Sequence, residues 1–589
     1  MPLTTISSKY KTLRAWVAIT LLLALMLTHA GCFLAENVEP YYGRVVVPRS
    51  QELHWSDGGL PQTFDPAFAA APPDTDLVRA LFEGLTDYDP KTLQPVPAVA
   101  TRWEPSNGGR TWTFYLRDDA RWSNGESVTA RDFVQSWKRT RSIGDLAPHT
   151  ELLANIEGSR REGSTRRSTS PQSPSQPSAG KNTLKESAGR FGAEALSDSI
   201  LRVRLRRPDM NFPALVAHPV FRPVKLEQED AVGMLAPAGL VSNGAFSLAK
   251  AEGERVQLKR ADNYWDKDKV ALDRVEFVGS KDVESALAAY RAGEVDAVTN
   301  AAFEPLAIKL LTPYEDFRRT TYGALTYYSF NTTREPFDDV RVREALTLAI
   351  DRERISQDEL GGATEPAKRF LPEIKPNTQE PVVDKSDLLE KDYERAKDLM
   401  AEANFPNGEG FPKIKLLINR NEQQRIVAQA IAAMWRSILN IETEIVIAKN
   451  WDEYEAVIRS GEYDIARRGI VMQTTDELTN IRMLFQSPVR PSTTAKTADT
   501  DPTGHLSPIP SEKASGGTTP ERRFREAIET ESQALKDLSA MPIYFASSYS
   551  LVKPYVEGFD SNVLDAPSLK TVRIKVGWQP PASSSATVK

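Results

Sequence analysis

The chain of 589 residues carries one cysteine, Cys32, and five histidines. One cysteine excludes an intrachain disulfide, a cysteine-based zinc site and a CxxC redox pair. The histidines, His29, His54, His149, His218 and His505, are not spaced for any two to share a metal. There is no basic surplus: 74 Lys and Arg oppose 80 Asp and Glu, a net charge of -6. That balance argues against a nucleic-acid partner. A mean hydropathy of -0.42 excludes a polytopic membrane protein. No GxSxG elbow precedes a helix, and no P-loop or GxGxxG follows a strand. Adjacent acids such as Asp118-Asp119 and Asp338-Asp339 read as solvated turns or caps. The absences favour binding over catalysis, so the expectation is no enzyme and no cofactor.

What is present starts at the N-terminus. Lys9, Lys11 and Arg14 precede an uncharged stretch from Ala15 to Ala35, most apolar over Trp16–Leu27. A basic start, a short apolar run and small residues before a break describe a secretory signal. Cys32 after Ala30-Gly31 resembles the lipobox of bacterial lipoproteins, in which that cysteine is acylated; His29 departs from the Leu usual there. Cleavage without lipid and an uncleaved anchor are the alternatives, since the run approaches bilayer length. All three export the rest of the chain.

Hydrophobic residues make up 40% of the sequence, enough for large cores, and the length suggests roughly three to four domains. Residues 158–190 and 491–520, rich in Ser, Thr and Pro, carry too few apolar side chains to offset ordering entropy and are expected to be disordered insertions. Between them strand and helix signals alternate. Thr111–Arg117 and Leu201–Leu205 alternate as strands. Thr129 opens a helix as N-cap, and Val340–Ile350 is apolar along one face. Lys413–Ile418, an apolar helical stripe over Ile426–Ile438 and Glu444–Ile447 form a β-α-β unit with a parallel strand pair. The class is therefore α/β in more than one lobe. Trp112 and Trp137, within a strand and a helix, are expected in the core.

Four groups of motifs go beyond composition. The first joins Asp65-Pro66, Leu81-Phe-Glu-Gly-Leu-Thr86, Pro97–Glu104, Trp112–Arg117 and Arg121–Ala130. The second joins Ser242-Asn-Gly-Ala-Phe246, Asn263-Tyr-Trp-Asp266 and Tyr290–Asp296. The third is Phe330–Leu346 with Ala349-Ile-Asp-Arg352, and the fourth Met541–Phe545 with Leu551–Gly558. In this order they resemble the oligopeptide- and dipeptide-binding proteins of ABC importers, family 5 of the extracellular solute-binding proteins, over roughly residues 51–578. The resemblance implies a two-lobed periplasmic-binding-protein-like fold with an extra third domain and a hinge between lobes. It implies lobe I from 51–82, 208–323 and 543–578, the extra domain from 83–207, and lobe II from 324–542. A signal peptide at 1–31, a tether at 32–50 and a loose tail at 579–589 complete the expected plan. Implied partners are a peptide or small polar ligand, the permease subunits of an ABC importer and a membrane lipid anchor at Cys32. The implied receptor is monomeric and sits in the periplasm or at the cell surface.

The same resemblance places Asn300 and Tyr327 where oligopeptide binders line the ligand. It places Arg459 and Arg467 near basic residues used for the peptide carboxylate, which a guanidinium suits by its forked donors. Family peptide binders continue from that Arg through Gly-Trp to an Asp that holds the free α-amine. Here Gly469 is followed by Ile470, and Gln473 occupies the Asp position. Asp476 reaches the same place only if the loop shifts by three residues, about 10 Å of extended chain. A neutral Gln satisfies an ammonium only in part, which weakens the case for a peptide with a free N-terminus. A same-fold receptor for a non-peptide solute and a sensor or scaffold lipoprotein without transport remain alternatives.

Overall fold

The computed structural model describes residues 40–159, 191–226, 237–374, 388–486 and 528–580. The signal region with Cys32, the insertion 158–190 beyond residue 159, the insertion 491–520 and the tail from residue 581 lie outside the described residues.

One mixed sheet of 11 strands runs through the molecule. Its order is Thr443–Ala448, Ile414–Asn419, Ile465–Val471, Phe317–Phe330, Ala540–Val552, Ala297–Thr299, Glu52–Asp57, Arg274–Val278, Arg255–Arg260, Phe246–Glu252. Thr364–Pro366 adds to the edge of Ala540–Val552. Most strands belong to one end or the other. Phe317–Phe330 and Ala540–Val552 are long enough, at 14 and 13 residues, to belong to both. The apolar stripe behaves as the sequence predicts: helix Glu422–Leu439 crosses between parallel strands Ile414–Asn419 and Thr443–Ala448. Val427, Ile431, Met434 and Trp435 bury against Leu416 and Ile418.

A separate antiparallel sheet of Ala100–Ser106, Thr111–Leu116, Ile200–Arg204 and Ala193–Ser197 forms the extra layer. Trp112, Phe114 and Leu116 point inward along one strand, as its alternation requires. Helix Ala130–Ile143 packs over them. Its N-terminus is closed by Asp132, whose carboxylate accepts from the Thr129 backbone N–H at 2.7 Å. Trp112 and Trp137 are both core residues, as expected. Helix Val340–Leu348 ends two residues short of its apolar stripe, because Asp351 caps the next turn through Arg354 N at 3.0 Å.

The motifs are joints of this framework. Asn243 exchanges two hydrogen bonds of 3.0 Å with the Glu83 backbone. Gly244 lies so close to the same segment that a Cβ would stand 2.5 Å from the Ala80 carbonyl. The Glu83 carboxylate accepts from Tyr264 Oη at 2.5 Å and Trp265 Nε1 at 2.6 Å. Asp296 accepts from Tyr555 Oη and the His54 N–H, both at 2.7 Å. Arg352, fully buried, donates to the Pro542 carbonyl at 2.8 Å.

The expected tether needs correction. From Pro40 the chain is docked, not free. Tyr42 stacks on Tyr290 and meets Tyr314 edge-on. Its N–H donates to Asp316 at 2.9 Å, and Lys553 Nζ donates to its carbonyl at 3.1 Å. Two adjacent tyrosines and the valines at 45 and 47 supply apolar surface that a free linker would not carry.

Asp65 and Arg139, both buried, form an ion pair that ties the extra layer to the loop before helix Asp74–Leu81. Arg139→Met leaves that carboxylate without its cation, and we expect a loss of about 3–5 kcal/mol in denaturant unfolding. The double variant with Asp65→Asn should recover most of it. A single-variant loss within experimental error would mean the pair contributes nothing.

Candidate functional site

The two shared strands slip in register between Thr321 and Leu325. Gly323 sits at the slip. Its N–H donates to the Val563 carbonyl at 2.7 Å, and its carbonyl accepts from Met472 N at 2.8 Å. A Cβ there would lie 2.9 Å from the Val563 oxygen, so a side chain would force these backbones apart. Next to it is a cavity of about 190 Å³, lined in part by Gly323, Arg369, Glu373, Thr474, Asn480 and Val563. Asn480 Nδ2 donates to the Thr474 carbonyl at 2.8 Å, while its buried Oδ1 has no donor among the described residues.

Strand Ile465–Val471 leads into this region. One edge pairs with Phe317–Phe330 along its whole length. The other pairs with Ile414–Asn419 only at Ile465 and Ala466. From Arg467 to Val471 that edge has no strand partner among the described residues. Gly469 lies on this stretch, opposite Thr326.

The residues singled out from sequence fall in different places. Asn300, left-handed at φ 51, follows strand Ala297–Thr299 and donates to Asp57 Oδ1 at 2.6 Å. Gly58 accommodates it, since a Cβ there would stand 2.7 Å from the Asn300 carbonyl. Tyr327 is buried beneath helix Glu477–Gln486, with its hydroxyl donating to Leu484 O at 3.3 Å. Arg459 ends helix Trp451–Ser460 with its side chain 54% exposed, paired with Glu455 at 3.2 Å. Arg467 is buried on the face opposite Arg468, with Nη2 3.5 Å from Thr326 Oγ1 and no acceptor at Nε among the described residues. Arg468, which sequence reasoning passed over, is surrounded by protein yet keeps accessible surface, beside Ser329, Tyr454 and Tyr463.

Gln473 and Asp476 meet side chains from the other half of the molecule. His218 Nδ1 accepts from Val220 N at 3.1 Å, which places the ring proton on Nε2. That nitrogen faces Gln473 Oε1 at 3.4 Å. Burial, with His149 alongside, holds His218 well below the usual histidine range, so the ring is neutral. Asp476 Oδ2 accepts from Thr479 N at 2.7 Å and caps the following helix. Its carboxyl also faces that of Asp209. Two carboxyls face one another only with a proton between them.

A second set of acids gathers where the strand Glu52–Asp57 ends: Asp57, Asp76 and Asp565. Burial raises all three, Asp565 to about 7, and each lies within the field of another. Nothing in the sequence advertised them. Asp57 precedes two glycines like any turn acid, and Asp76 reads as a helix-start acid.

A family model described as bacterial extracellular solute-binding proteins, family 5 Middle, matches residues 94–491. The chain belongs to this family. The periplasmic oligopeptide-binding protein OppA of Salmonella typhimurium is 29% identical, over 86% of this chain and 90% of its own. The periplasmic murein peptide-binding protein MppA of Escherichia coli is 29% identical, over 88% and 92%. The solved structure of an MppA murein tripeptide binding protein, in its unliganded open form, superposes with a TM-score of 0.68. It is 26% identical, covering 90% of this chain and 98% of that one. These likenesses bear out the family resemblance and the two-lobed α/β fold. Among the described residues no helix is long and apolar enough to cross a membrane, and no group of His, Cys, Asp and Glu is placed to hold a metal ion.

Asp209 carries a pH signature. Burial and the facing Asp476 push it up to about 7, against about 3.9 in an unfolded chain. A raised folded value means its stabilisation is complete below about pH 4 and is lost as pH rises through about 7. Asp209→Asn should therefore melt above the parent at pH 8 and level with it at pH 4. Equal melting temperatures at pH 8 would show that the two carboxyls do not share a proton.

Proposed function

We propose that the protein is the exported receptor of an ABC importer, capturing oligopeptides or similar small polar solutes between its lobes and delivering them to a membrane permease. The observation that carries this reading is the edge of Arg467–Val471 beside the slip in the shared strands, which has no strand partner among the described residues, although Tyr454 Oη and Gln473 Nε2 donate to its Arg467 and Val471 carbonyls. An extended peptide adds to such an edge through backbone hydrogen bonds, and these are blind to side-chain identity. Asn480 Oδ1, buried and without a donor among the described residues, suits a ligand N–H or a water held with it. The pair of strands at 321–325 and 545–547 is the hinge of this proposal. The closed state is selected by a ligand that touches both sides.

Under the same proposal the chain is monomeric, is not an enzyme, and is held at the membrane through an acylated Cys32. Delivery to a permease needs only that the closed receptor stay near the bilayer. Asn300 and Gly469 are the ligand-lining positions this reading retains, with Arg468 added. Arg459, exposed and paired with Glu455, serves the helix. Gln473 favours the second reading, a non-peptide solute, because its carboxamide is already engaged by His218.

Native mass spectrometry of the purified chain, together with small-angle scattering before and after a peptide mixture, tests the proposal. We expect peptide masses bound and a smaller radius of gyration. One non-peptide mass with the same contraction moves the substrate class. No bound mass and no contraction would overturn the receptor reading in favour of a scaffold.

A further inference from the structure

Three carboxyls from distant parts of the chain converge on the lobe I side of the hinge. Asp57 closes the first strand, Asp76 lies in the first turn of helix Asp74–Leu81, and Asp565 sits in the loop after Ala540–Val552. Asp57 and Asp76 are 0% and 3% exposed. One oxygen of Asp57 accepts from Thr299 Oγ1 and Asn300 Nδ2, both at 2.6 Å. Its other oxygen and both oxygens of Asp76 are buried and, apart from the contact between the two carboxyls, receive no donor among the described residues. Asp565 accepts from Ser548 Oγ at 3.1 Å.

Charge does not balance here. Asp74 stands nearby, but its carboxylate is taken by the Gln62 and Thr63 N–H groups at 2.6 and 3.3 Å. Arg79, one helical turn beyond Asp76, is the cation of the cluster. Its side chain makes no hydrogen bond or ion pair among the described residues, and its buried Nε has no acceptor there, while its carbonyl accepts from Arg222 Nη1 at 3.1 Å. Tyr322 completes the wall from the slipped strand. Protein surrounds it, yet it keeps accessible surface. Buried carboxylates with empty acceptor positions are costly unless a cation or a proton fills them. The carboxyl oxygens do not converge as metal ligands would. The occupant that fits is a molecular cation carrying several N–H donors.

We propose that Asp57 and Asp76, backed by Asp565, seat the ammonium or guanidinium group of the captured ligand, in place of the position now filled by Gln473. This rests on the receptor reading above and deepens it. In the empty protein a proton shared between Asp57 and Asp76 stands in for that cation. The ligand displaces the proton, so binding releases it to solvent. Affinity then rises with pH while the shared proton remains, and falls again as an α-amine ligand loses its own proton near pH 8. Arg79, without an ion pair among the described residues, is left to meet a ligand acceptor close to the cation, as an amino-acid or peptide end presents.

The test uses isothermal titration of the full chain with three probes: trialanine, N-acetyl-trialanine, and N-acetyl-Ala-Lys-Ala. The parent should bind trialanine at least tenfold more tightly than its acetylated form if the seat takes an α-amine. Recovery by N-acetyl-Ala-Lys-Ala marks a side-chain cation instead. Asp57→Asn and Asp76→Asn should each cut binding of the preferred probe tenfold or more. Each should also raise the melting temperature of the empty protein, because like charges are relieved. A residue with a merely structural role would move both readouts downward. At pH 6.5 the binding heat of the parent should depend on buffer ionisation enthalpy, with proton release. Probe binding unchanged in both variants, or no buffer dependence, overturns this inference and leaves the receptor reading standing. Failure of every probe to bind the parent overturns the peptide reading and this inference with it.

Discussion

Strands Phe317–Phe330 and Ala540–Val552 are hydrogen-bonded to one another through both ends of the molecule, and the slip between Thr321 and Leu325 is where their ladder changes step. Everything else hangs on one side of that slip. The strands of 52–57, 246–278 and 297–299 extend the sheet one way, and those of 414–471 extend it the other. A paired crossing resists twisting more than a single connecting chain does. It bends where its hydrogen bonding is already irregular. The close backbone approach at Gly323 and Val563 keeps that place narrow.

The sheet and its helices were legible because they rest on periodicity and capping, which are local. The β-α-β unit over 413–448, the strand at 111–116 and the Thr129 cap all follow from spacing alone. The motif residues were legible for a different reason. Asn243, Glu83, Trp265, Asp296 and Arg352 hold segments more than a hundred residues apart, and few other side chains make those joints. They carry the framework and not the ligand, so they announce the fold without announcing what it binds.

The candidate site was only partly legible. Asn300 lies against Asp57 and Gly469 on the strand edge without a strand partner among the described residues, while the helix of Arg459 turns it to solvent against Glu455. Asp476 has a helix to cap, and Asp209 meets it from across the chain. Asp57, Asp76 and Asp565 escaped because their meaning lies in tertiary convergence. A lone acid near a glycine pair or at a helix start is ordinary in any sequence. Three of them sharing one dry corner is not, and only the assembled sheet puts them there.

The docking of Pro40–Val47 onto lobe I sets a leash length. With Cys32 acylated, seven residues, 33–39, lie between the lipid-bearing residue and the first docked one. Fully stretched, the eight steps from 32 to 40 span no more than about 29 Å. On the proposed acylation, so short a leash would hold Pro40–Val47 close to the headgroups. A permease would meet a receptor already turned to a limited set of orientations, which raises the local concentration of the productive one without any added contact between the two proteins.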